Sequence, residues 1–267
     1  MAEDTSPAVP DLQIVGGGRM GEALLTGLLA ADRSRRVRVV EALPERAAGL
    51  RHAHPSVEVT DAVGPAAGTV LAVKPHQIVD VCAAVADAGG GRVLSIAAGV
   101  TIVTIEDALP AGTAVVRAMP NTPALIGQGA AAIAAGSSAT DDDVAWAESI
   151  LSAVGSVSVV PEDLLDAVTG LSGSGPAYVF VVLDALIEGG VAAGLPRETA
   201  ESLAGQTLLG AAGLYLAGDK SPGELRAQVT SPGGTTAAGL RVLEQRAVRA
   251  ALIDAVLAAR DRSVELG

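Results

Sequence analysis

Leu12-Gln13-Ile14-Val15-Gly16-Gly17-Gly18-Arg19-Met20-Gly21 is the stretch on which the fold turns. Leu12 to Val15 has the apolar, β-favouring texture of a buried strand, and Met20 to Ala31 reads as a helix. Between them Gly16-Gly17-Gly18-Arg19-Met20-Gly21 fits G-x-G-x-x-G, in the strand-to-helix setting that a dinucleotide loop requires. Gly16 permits the tight turn, Gly18 lets a pyrophosphate approach the backbone, and Gly21 lets helix and strand lie close. The free N–H groups at the helix start then face the phosphates. In a chain with 32 glycines the motif alone would fit a plain Gly-rich turn, and its position supplies the weight. Glu41 lies 20 residues beyond Gly21, where an acidic side chain takes a ribose 2′-hydroxyl. A carboxylate there favours NAD, whereas Arg19 and Arg46 suit the 2′-phosphate of NADP. Residue chemistry leaves that choice open, and each charge also fits a solvated surface.

Outward from this stretch, short apolar runs alternate with Ala/Leu-rich segments. Val37–Val40, Val70–Val73, Val93–Ile96 and Ala114–Val116 read as strands. The pattern predicts an α/β, Rossmann-like domain whose mainly parallel sheet is covered on both faces. Loops at the carboxyl ends of such strands line the ligand crevice, which places Lys74, after Leu71-Ala72-Val73, at a ribose or substrate. An ordinary polar strand exit explains it equally. From about Glu162 the texture becomes helical: Ala177–Glu188, Thr199–Ala217 and a single long Thr236–Arg262. The expected division is a disordered lead at 1–10, a dinucleotide-binding domain at 11–162 and an all-helical domain at 163–267. The helices of the last are apolar nearly all round, which a second subunit or mutual burial within the chain would satisfy.

Composition narrows the function classes. The 267 residues suit about two domains. With 18 basic against 30 acidic side chains the net charge is −12, the wrong sign for gripping nucleic-acid phosphates. Cys82 is the one cysteine, so no internal disulfide forms, and with His52, His54 and His76 it makes no metal-ligand spacing. We expect no metal and a reducing, cytoplasmic setting. The best apolar stretch, Tyr178–Ile187, is interrupted by Asp184, so no membrane span is expected. Met1–Pro10 lacks the apolar run of a signal peptide.

A second Gly-rich segment, Thr230-Ser231-Pro232-Gly233-Gly234-Thr235-Thr236, precedes the last long helix. With Ser231 or a nearby Thr as N-cap and Pro232 early in the helix, it makes an anion site fit for a small carboxylate. A plain helix-start turn is the alternative. Ser172-Gly173-Ser174-Gly175-Pro176 is a similar turn whose small residues suit close helix crossing. No His/Asp or His/Glu pair occupies a catalytic loop, so triad or metal hydrolysis is poorly supported. A redox reaction whose hard chemistry lies in a cofactor fits better.

The motifs taken together resemble the pyrroline-5-carboxylate reductases. The matching stretches are IVGGGRMGEALL (Ile14–Leu25), LAVKP (Leu71–Pro75), SIAAGVTI (Ser95–Ile102), VRAMPNTPALIG (Val116–Gly127), DLLDAVTGLSGSGPAYVF (Asp163–Phe180) and VTSPGGTTAAGLRVLE (Val229–Glu244). The resemblance implies a Rossmann domain followed by a helical dimerisation domain, in homodimers that assemble further, commonly to decamers. It implies reduction of 1-pyrroline-5-carboxylate to L-proline by hydride from NADPH or NADH, with NADPH favoured. Gly16, Gly18, Arg19, Met20, Gly21 and Glu41 would serve the cofactor, with Ala72, Lys74, Pro75, Ala97 and Ala98 along the nicotinamide side. Ser231, Gly233, Gly234, Thr235 and Thr236 would hold the substrate, Glu162 would lie near it, and Thr236 would be the catalytic residue. Arg19 departs from the uncharged residue common in the family, which bears on cofactor preference. Two rivals remain. One is a related reductase of another imine or a 2-hydroxy acid, though Lys220, the only lysine after Lys74, sits in a Pro/Gly loop rather than on a helix face. The other is a non-enzymatic dinucleotide-binding module, for which the second anion site has no use.

Overall fold

A computed structural model describes residues 9–89 and 91–267. The expected lead at 1–10 lies mostly outside the described residues. Pro10, within them, is buried, and its carbonyl accepts the Ala67 N–H at 3.1 Å.

The chain alternates β1 (Leu12–Val15), α1 (Arg19–Ala31), β2 (Val37–Val40), α2 (Pro44–Ala53), β3 (Glu58–Thr60), β4 (Gly68–Leu71), α3 (Ile78–Asp87), β5 (Arg92–Ser95), α4 (Ile102–Asp107) and β6 (Val115–Met119). A hairpin-like return forms β7 (Gly129–Ala135), and α5 (Asp141–Leu151) carries the chain to β8 (Gly155–Val159). The strands lie in the order β3-β2-β1-β4-β5-β6-β7-β8, with β6–β7 antiparallel and every other pair parallel. Strand order reverses beside β1: β2 pairs on one side and β4 on the other. That switch point opens a crevice at the carboxyl ends of β1 and β4, where open α/β sheets bind ligands.

Burial explains these strands. Leu12, Ile14, Val39, Val70, Leu71, Val93 and Leu94 have almost no exposed surface because helices cover both faces. Leu24, Leu25 and Leu28 of α1 share one core with Leu12, Ile14, Val39, Val70 and Leu94, while Leu71 and Val93 belong to a second. Each such side chain contributes about 1.5–3 kcal/mol by leaving water. Gln13 is a polar exception inside β1, satisfied by the Thr69 hydroxyl at 3.4 Å and the Gly64 N–H at 3.0 Å.

The described residues form two compact units, one running up to residue 173 and including 259–267, the other residues 174–258. The division at Gly173/Ser174 differs from the expected 162/163. The short helix α6 (Leu165–Val168) and the π-turn Thr169–Gly173 stay with the sheet unit, because Leu165 is buried in its core and Asn121 binds the Ser172 carbonyl at 3.0 Å. The last residues rejoin that unit, where Ser263 donates to Asp166 at 2.6 Å.

The second unit holds α7 (Gly175–Ala192), α8 (Arg197–Leu216), α9 (Pro222–Gln228), α10 (Thr235–Gln245) and most of α11 (Val248–Leu266). The single helix expected over 236–262 is broken. Ala247 takes φ +52 and separates α10 from α11, a left-handed turn costing a non-glycine residue about 1–2 kcal/mol. Val179, Phe180, Val181, Leu209, Leu214 and Leu216 are exposed, and α7 has no buried residue. Burial beneath helices of the same chain therefore does not account for its apolar surface. By length and composition alone, the helical stretch Glu162–Ala192 is apolar enough to cross a membrane, whereas the sequence around Tyr178–Ile187 predicts no span.

Candidate functional site

The glycine loop is fixed by close contacts that a side chain would prevent. Gly16 leaves β1 with φ +105, its N–H donating to the Val40 carbonyl at 2.9 Å. A Cβ on Gly16 would sit 2.5 Å from the Ala72 oxygen, and one on Gly21 would sit 2.1 Å from the Gly16 oxygen. Gly18 is different: a Cβ there would meet nothing within 4 Å. Its lack of a side chain keeps open the approach to α1. Gly18 is also the N-cap of α1 and provides no side-chain cap, so the first-turn N–H groups of Arg19, Met20 and Gly21 face outward as a polar cradle. These residues fit a dinucleotide pyrophosphate.

Gly17 ties this loop to β2 and α2. Its N–H donates to Glu41 Oε2 at 3.0 Å, and its carbonyl accepts from Arg46 Nε at 2.6 Å. Glu41 Oε1 accepts the Leu43 N–H at 2.8 Å, and Arg46 Nη2 pairs with Glu22 Oε2 at 2.5 Å. Glu41 and Arg46 therefore clasp Gly17 from its two sides, one at the N–H and the other at the carbonyl. Arg19 is exposed and lines a hollow with Glu22, Ala23, Thr26 and Leu125.

Around the crevice, Ala72 donates its N–H to the Val15 carbonyl at 2.8 Å, setting it beside the loop. Lys74 is exposed, with Pro75 opening the turn Pro75–Gln77. Ala97 is buried and Ala98 exposed after β5, before Gly99 at φ +74. Glu162 lies in the same unit, and its Oε1 accepts from Arg117 Nη1 at 2.8 Å and from the Ile102 N–H at 2.7 Å. It thus caps α4 and neutralises a nearly buried arginine.

In the second unit Ser231-Pro232-Gly233-Gly234 forms a turn closed by the Gly234 N–H on the Ser231 carbonyl at 3.1 Å, with Gly233 at φ +71. Proline then glycine at its centre is the type II signature. The expected cap differs here. Pro232 precedes the helix, and Gly234 rather than Ser231 is the N-cap of α10, with no side-chain cap bond. Thr235 is exposed and Thr236 half-buried in the first turn. Like α1, α10 thus presents bare N–H groups, here beside two hydroxyls, which suits a small carboxylate. Among the described residues no cluster of His, Cys, Asp or Glu is arranged to hold a metal.

Sequence reasoning gave no role to Asn121 or Arg117. Asn121 is buried at the end of β6, taking the Ala130 N–H on Oδ1 at 2.8 Å while its amide holds Ser172. A polar residue leaving a buried strand was the available signal.

Residues 162–266 match the family described as pyrroline-5-carboxylate reductase dimerisation, and residues 11–99 match NADP oxidoreductase, coenzyme F420-dependent. A Synechocystis pyrroline-5-carboxylate reductase is 45% identical over 263 residues, covering 96% of this chain and 98% of the relative. Among solved structures, a Coxiella burnetii pyrroline-5-carboxylate reductase superposes with a TM-score of 0.92 at 38% identity, covering 97% of this chain and 99% of that one. A Plasmodium falciparum pyrroline carboxylate reductase with NADP bound gives 0.84 at 27% identity, over 97% and 98%. An eight-stranded sheet with a glycine loop is shared by many reductases, but likeness along almost the whole length, through the bare start of α10, is not. The chain belongs to the pyrroline-5-carboxylate reductase family.

Proposed function

We propose that this protein reduces the ring C=N of 1-pyrroline-5-carboxylate to L-proline, the closing step of proline biosynthesis, with NADP(H) as hydride source and NADH as an alternative donor. The observation that carries this reading is that α1 and α10 both start on a glycine cap with no side chain across the first turn. One bare helix start takes the dinucleotide pyrophosphate; the other takes the substrate carboxylate.

A bound reduced nicotinamide supplies the hydride, which adds to the imine carbon while a proton reaches the nitrogen, leaving a secondary amine. The protein's part is electrostatic and positional. Gly16, Gly18, Arg19, Met20 and Gly21 hold the diphosphate, Glu41 meets the adenosine ribose, and Ala72, Lys74, Pro75, Ala97 and Ala98 border the nicotinamide. Ser231, Gly233, Gly234 and Thr235 hold the carboxylate. Thr236 donates its hydroxyl hydrogen bond to the imine nitrogen, drawing electron density from the C=N carbon and stabilising the negative charge that develops on nitrogen as hydride adds. Glu162 acts by fixing the start of α4, and with it the Ala97-Ala98-Gly99 turn.

Thr236→Ala is expected to lower kcat about tenfold to ten-thousandfold, the range for a positioned proton donor. Unchanged turnover removes Thr236 from that role. The exposed helical face of the second unit supports a homodimer, and we extend this to a decamer built from five such dimers, placed in the cytoplasm. Sedimentation velocity of the purified protein tests the assembly.

A further inference from the structure

We propose that Glu22 sets the balance between NADPH and NADH by holding Arg46 away from the 2′-position of the adenosine ribose. This rests on the reductase reading only in that the glycine loop takes a dinucleotide. The residues just after β2 meet that ribose in this fold, and here they supply one carboxylate, Glu41, and one guanidinium, Arg46. Glu41 is held by the Gly17 and Leu43 N–H groups, so its charge stays at the strand end and opposes a 2′-phosphate. A free Arg46 would answer that phosphate with a two-pronged, charge-assisted contact. It is not free. Glu22, in the first turn of α1, pairs with Nη2 at 2.5 Å, and the Gly17 carbonyl takes Nε at 2.6 Å. His54 Nε2 lies 3.7 Å from the other Glu22 oxygen and brackets the carboxylate. Glu22 therefore acts on the cofactor through Arg46, as a positioning residue.

The test is isothermal titration of the purified protein with NAD+ and NADP+, comparing wild type, Glu22→Gln, and Glu22→Gln with Arg46→Ala. Glu22→Gln keeps the shape and removes the charge. We expect its NADP+ affinity to rise about fivefold, the upper scale of a part-exposed ion pair, with NAD+ changing less than about twofold. The added Arg46→Ala should abolish the gain. A Kd ratio that Glu22→Gln leaves unchanged overturns the proposal, as does a gain that survives loss of Arg46; in either case the reductase reading stands. Failure of wild type to bind either dinucleotide overturns both.

Discussion

The three glycines of the nucleotide loop do different work, so their alanine variants should fail in different ways. At Gly21 a Cβ would press on the Gly16 oxygen at 2.1 Å, so the strand–helix junction must move. Gly21→Ala should destabilise the fold by about 1–3 kcal/mol, the usual scale of overpacking. At Gly18 the same atom enters open space. Gly18→Ala should lose no more than about 1 kcal/mol of stability, the preference of an N-cap for Gly over Ala, yet bind dinucleotide more weakly. Equal unfolding midpoints for both variants would show that the loop contacts carry no stability. Position alone exposed these residues in the sequence, because a strand, the glycine spacing and a helix follow in order. The clasp of Glu41 and Arg46 on Gly17 was not legible, since their partners depend on how α2 returns over the loop.

At the scale of elements, α3 buries Cys82 against Leu71, Ile78 and Val93, and that burial pushes its thiol from 9.0 up to about 11. The fold favours the neutral thiol. Its contribution to stability is therefore full below pH 9 and drains away as the pH rises toward 11. Urea unfolding at pH 8 and pH 10.5 should show a smaller alkaline loss in Cys82→Ala than in wild type; equal losses would contradict this. Strands with β-branched runs were readable, but β7 was not. Gly129-Ala130-Ala131-Ala132-Ile133-Ala134-Ala135 has a helix former's composition and becomes a strand because β6 and β8 pair on its two sides. The break between α10 and α11 carries neither Gly nor Pro, so nothing local announced the turn at Ala247.

Across the whole molecule, the second unit leaves apolar side chains in water that a monomer of its size rarely tolerates. Phe180 is 64% exposed and Val181 70%, on a helix with no buried residue. Phe180→Asp should shift the sedimentation coefficient to that of a monomer, because a carboxylate buried without a partner costs several kcal/mol. A dimer that persists would show that another face makes the contact. The two-unit plan was legible from the change of texture near Glu162. The handover at Gly173 and the return of residues 259–267 were not, because Asn121–Ser172 and Asp166–Ser263 link positions far apart in the chain.

The most direct test of the account is the initial rate of NADPH and NADH oxidation with 1-pyrroline-5-carboxylate, in wild type and in Thr236→Ala. The account predicts substrate-dependent oxidation in wild type, with kcat falling at least about tenfold in the variant while dinucleotide affinity holds. No oxidation with either nucleotide, in protein shown to bind one, would contradict the substrate assigned to the start of α10.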